Sequence, residues 1–84
     1  MEIVKEINKK KYTFQGIKYK ELKRLKKMAG DDTDNLNDLI ILASIREPKI
    51  TQEELDEMEL KEIVAINKAV AELTGADVDK IKNF

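Results

Sequence analysis

The chain has 84 residues, 42% of them apolar and 39% charged, with no Cys, His or Trp and a net charge of −1. That length supports one domain near the lower size limit for a self-sufficient core. Disulfide and Cys/His zinc support are excluded, as are the residue types that acid–base and nucleophilic catalysis most often recruit.

Residues 11–20 read as a β-hairpin. Tyr12 and Phe14 alternate with Lys11 and Thr13, and Ile17 and Tyr19 alternate with Lys18 and Lys20. Gln15-Gly16 is the expected two-residue turn, with glycine supplying a positive φ. That register sets Phe14 opposite Ile17 and Tyr12 opposite Tyr19. Residues 2–7 are expected to add a third strand through Ile3 and Ile7.

Leu22, Leu25 and Met28 then fall three apart, the spacing of a short helix with a lysine-rich outer face. Gly30 is the expected left-handed stop. Asp32, Thr33 and Asp34 each qualify as the N-cap of the next helix. Its stripe, Leu36, Leu39, Ile40 and Ala43, is widened by Ile41, Leu42 and Ile45. A helix apolar on so many sides is either central in its own domain or covered partly by another chain. Pro48 is expected to end it.

Thr51-Gln52-Glu53-Glu54 is a capping box, and Ile50 and Leu55 are placed as its hydrophobic staple. The helix that begins there is expected to break near Met58-Glu59-Leu60. A last helix carries Leu60, Ile63, Val64, Ile66, Val70 and Leu73, with Gly75 as its stop. Residues 1–75 form the expected domain. Residues 76–84 read as a frayed tail or as a segment that orders against a partner. The fold class is thus mainly α (α+β), a β-hairpin packed on three to four short helices.

Charge is divided unevenly along the chain. Residues 1–27 hold ten bases and three acids, a balance of +7, and the remainder holds six bases and fourteen acids, a balance of −8. The basic part has three readings: a solvated face, a surface that meets the acidic end of a neighbouring copy, or a site for nucleic acid. No apolar h-region follows Met1-Glu2. The longest apolar run, Leu39 to Ala43, is far short of the roughly 20 residues of a membrane span. A cytoplasmic protein without a membrane partner is expected.

The chemistry-bearing patterns are sparse. Ser44, the only serine, sits in the most apolar helix, where a bond to a carbonyl one turn back is expected. Asp31, Asp32 and Asp34 resemble part of a calcium loop, but Asn37 stands where that loop needs Gly. Residues 51–73 have the order of a helix-turn-helix. The start of its second helix carries Glu57, Glu59, Lys61 and Glu62, a net acidic stretch that would repel a phosphate backbone. Neither a cofactor nor a metal is expected, and the reading is of a protein that is not an enzyme.

The order of features is recognisable. A lysine-rich start leads to Tyr12-Thr13-Phe14-Gln15-Gly16-Ile17-Lys18-Tyr19-Lys20-Glu21-Leu22, then a short helix, an acidic turn and a middle helix ending Leu42-Ala43-Ser44-Ile45. After Pro48 come Ile50-Thr51-Gln52-Glu53-Glu54-Leu55 and a closing helix ending Val70-Ala71-Glu72-Leu73. Over about residues 11–75 this resembles the small tail assembly chaperones of tailed bacteriophages. The likeness lies in order and character rather than in a strict motif.

The resemblance implies a non-enzymatic protein of the bacterial host cytoplasm. Such a protein binds the tape measure protein, keeps it soluble, and gives way as tail tube subunits polymerise around it. Self-association is a further expected contact. A holdase needs an apolar groove and a charged exterior. Met28, Ile41, Leu42, Ile45 and Met58 are the candidate groove residues, with ordinary core packing as the competing assignment for each. The alternative function is a small helical regulator or adaptor that binds nucleic acid through the basic N-terminal half.

Overall fold

The computed structural model of the protein describes residues 2–74. In chain order the elements are β1 (Glu2–Ile7), β2 (Lys10–Gln15), α1 (Tyr19–Ala29), α2 (Thr33–Ser44), β3 (Ile45–Glu47), α3 (Gln52–Asp56) and α4 (Leu60–Thr74). This is an α+β fold with a three-stranded antiparallel sheet in the order β1-β2-β3. The expectations for Gly75 and for residues 76–84 lie outside the described residues.

The hairpin is real, but it is displaced from the expected one. Its strands are β1 and β2, and its turn is Asn8-Lys9. Ile3 stands opposite Phe14, and Lys5 opposite Tyr12. Both turn residues have positive φ, 52° at Asn8 and 65° at Lys9, as a type I′ turn requires. Gly16 is not among the positive-φ glycines, so it supplies no such turn. Tyr19 begins α1 instead of pairing with Tyr12. Ile7, Tyr12 and Phe14 are buried and Ile3 is half-buried, which defines the sheet face turned to the core. The Tyr12 and Phe14 rings lie 6.2 Å apart, tilted by 37°.

α1 buries Leu22 and Leu25, as the three-residue spacing marks, but Ala29 takes the third inward place and the expected Met28 is exposed. Gly30 ends it at φ 61° and ψ −127°, donating its N–H to the Lys26 carbonyl at 3.1 Å. The positive φ is that of a glycine stop; the ψ differs from the expected left-handed helical value. Asp32 caps α2, accepting from the Asn35 N–H at 3.0 Å.

α2 is the central element. Leu36, Ile40 and Ile41 are buried, with Leu39, Leu42 and Ala43 half-buried beside them. It packs against α1, α3, β3 and α4. Ser44 donates its hydroxyl to the Ile40 carbonyl at 2.8 Å, satisfying a buried polar group. The helix stops at Ser44, four residues before Pro48. Ile45 is both its C-cap and the first residue of β3, opposite Phe14. The β-branched Ile45 thus belongs to the sheet, not to the helix stripe. The Glu47–Pro48 peptide is cis.

α3 starts with the capping box. The Glu54 N–H donates to Thr51 Oγ1 at 3.1 Å, and the Thr51 N–H donates to Glu54 Oε1 at 3.0 Å. Leu55 is buried and Ile50 joins the core edge, as a staple requires. Gln52 Nε2 donates to Asp38 Oδ2 at 2.8 Å and ties α3 to α2. α4 then packs against β1, β2 and α2 through Ile66, Ala69 and Val70. Lys5 Nζ meets Glu72 Oε2 at 3.1 Å across the β1–α4 seam. No helix of the described residues is long and apolar enough to cross a membrane.

Candidate protein-binding surface

Burial separates the five candidate groove residues. Ile41 and Ile45 are completely buried, one on α2 and one on β3. Their apolar area is already covered by their own chain, so the core-packing assignment holds for both, and neither lines an open groove. Leu42 and Met58 are half-buried at the core margin. Met28 is 57% exposed on α1, where Arg24 Nη1 lies 3.3 Å from its Sδ. The five therefore do not form one surface.

Besides Met28, the exposed large apolar side chains among the described residues are Val4, Tyr19, Leu60 and Val64. Leu60 is 77% exposed and Val64 50% exposed, one turn apart on α4. The sequence places both on the last helix with Ile63, Ile66, Val70 and Leu73, without separating inward from outward positions. Six residues separate Leu60 from Ile66 and Val64 from Val70, about 120° apart around a helix of 3.6 residues per turn. That rotation was the signal available in the sequence. The half-buried Ala71 continues the outer stripe, one further turn and three residues beyond Val64. Asn67, between them, has a buried Oδ1 with no hydrogen-bond partner among the described residues.

Two depressions of opposite charge lie elsewhere on the surface. One, of about 420 Å³, is lined by Lys10, Ile50, Glu53, Glu54, Glu57 and Met58. Its apolar floor is Ile50 and Met58, and its rim holds three carboxylates against one ammonium. The Lys10 ammonium sits 5.6 Å from the Tyr12 ring centre. The other, of about 380 Å³, has Ile17 and Ala43 for its apolar part and Lys18, Lys20 and Arg24 on its rim. Arg24 is paired there with Glu21 at 2.5 Å, and that pairing lowers the Glu21 carboxyl from its ordinary value.

α1 presents a basic outer face. Lys20, Lys23, Arg24 and Lys27 are exposed along it, with Lys23 5.3 Å from the Tyr19 ring centre. The acidic turn has a structural task, since Asp32 is the cap of α2. Among the described residues no three acidic side chains converge to hold a metal ion. The arrangement offers helical apolar surface and two charged faces, the materials of protein recognition. Set against known proteins, the chain matches no family model, no curated protein and no solved structure.

Proposed function

We propose that this chain is a non-enzymatic tail assembly chaperone of a tailed bacteriophage. In the host cytoplasm it binds the tape measure protein and keeps it soluble until tail tube subunits polymerise around it. The observation that carries the reading is the outward stripe of α4, where Leu60 and Val64 stand in solvent one turn apart. A helical client with exposed apolar faces needs a helix of this kind to lie against. Two side chains and a neighbouring Ala71 give a small contact, suited to a partner that must later be displaced. Many copies along one long client would add avidity to weak sites. The order of features over residues 11–75 supports the same reading.

The test is co-expression with the proposed client, a tape measure protein, scored as its soluble fraction. The wild-type chain should raise that fraction, and Leu60→Asp/Val64→Asp should abolish the gain while keeping a folded circular dichroism spectrum. An unchanged soluble fraction with the wild-type chain would refute the proposal. The basic outer face of α1 favours a second reading, a regulator that binds nucleic acid. Strong, salt-sensitive retention on heparin or DNA at physiological ionic strength would establish it instead.

A further inference from the structure

Charge complementarity between two faces of this one chain points to a specific self-contact. The acidic cleft has the apolar floor Ile50 and Met58, and among the described residues Glu53 and Glu57 on its rim have no ion-pair partner. The exposed face of α1 is its counterpart. It is convex, it carries Lys20, Lys23 and Lys27 with no ion-pair partner among the described residues, and it ends in the exposed Met28.

The two cannot both be satisfied within one molecule. Lys10 lines the acidic cleft and Gln15 lines the depression at the start of α1. They are the two ends of β2, about 17 Å apart at the rise of an extended strand. α1 packs on α2, and α3 is tied to α2 at Asp38, so neither face can swing to the other.

We propose that the basic face of α1 seats in the acidic cleft of a second copy, head to tail. Met28 enters over Ile50 and Met58, while Lys23 and Lys27 meet Glu53 and Glu57. Met suits this contact because its flexible thioether fills irregular apolar gaps. The two faces are different patches, so the contact is heterologous and leaves one of each free on every pair of copies. Association then grows beyond a dimer, as an open chain or a ring.

The test uses two full-length variants in sedimentation velocity at low salt. Lys23→Glu/Lys27→Glu disables α1, and Glu53→Gln/Glu57→Gln disables the cleft. All four positions are exposed, and circular dichroism checks that each variant is folded. The wild-type chain should grow with concentration past a dimer. Raising NaCl from 50 to 500 mM should weaken it about tenfold, as screened surface charges require. Each variant alone should be monomeric, and an equimolar mixture should give a 1:1 dimer that grows no further. A wild-type chain monomeric at millimolar concentration overturns the proposal. So does a closed symmetric dimer, or association that both variants retain.

Discussion

Ile45 stands opposite Phe14 in the β2–β3 pairing, and both side chains are completely buried. The contact joins residues 31 positions apart in the chain and holds β3, the continuation of α2, against β2. Ile45→Ala should therefore destabilise by roughly 2–5 kcal/mol, the range for emptying a tightly packed site. Ile45→Asp and Ile41→Asp should leave the chain unfolded at 25 °C, since each would bury a carboxylate without a partner. Urea denaturation and circular dichroism measure both effects. A folded Ile41→Asp variant would show that this side chain is not sealed in the core.

The capping box gives a smaller, sharper expectation. Thr51→Ala removes the acceptor of the Glu54 N–H and should cost about 1 kcal/mol. Thr51→Ser keeps the hydroxyl and should cost much less. Equal losses in the two variants, read from denaturation midpoints, would mean that the hydroxyl contributes nothing.

Lys9 occupies a positive-φ position that disfavours a side chain. Lys9→Gly converts the turn to Asn-Gly, the preferred pair for a type I′ turn. It should stabilise by roughly 0.5–1 kcal/mol despite the entropy that glycine adds to the unfolded chain. A rise in melting temperature checks it, and a fall would place the turn in another conformation.

Tyr12 supplies the pH dependence. Burial first, then the nearby Glu62 and Glu54 carboxylates, hold its phenol above the ordinary tyrosine value. The folded state therefore keeps this proton more tightly than the unfolded state does. Its contribution is fully present below the unfolded value near pH 10 and is lost as pH rises through the folded value. Melting temperature should fall as pH rises above the ordinary tyrosine value, and Tyr12→Phe should flatten that part of the profile. An equally steep fall in the Phe variant would assign the effect to other groups.

Local chemistry was the legible part of the sequence. Thr51 and Glu54 sit at the spacing of a capping box whatever surrounds them, and Leu22 and Leu25 mark the inner face of α1 in the same way; for α2 the sequence left Asp32, Thr33 and Asp34 as equal candidates, and the structure selects Asp32. The hairpin was misplaced because Gly16 offered a cheap positive φ, while the turn used Asn8 and Lys9. That choice is tertiary: it lets the face bearing Ile3, Ile7, Tyr12 and Phe14 cover the helices. Ile45 was read with the α2 stripe because its spacing fits one, yet strand pairing with Phe14 takes it. For the candidate surface, apolar character alone could not separate residues facing inward from those facing outward. Ile41 lies inside and Leu60 outside, and only the packing partners of each helix decide which.

The double duty of Ile45, last cap of α2 and first residue of β3, leaves no linker between helix and sheet. With nothing to act as a hinge, α2 cannot fray from its end without peeling β3 from β2. Backbone amides of Ile40, Ile41 and Phe14 should then exchange with deuterium through one shared opening event, at a common free energy close to that of global unfolding. The fold would release its centre all at once or not at all.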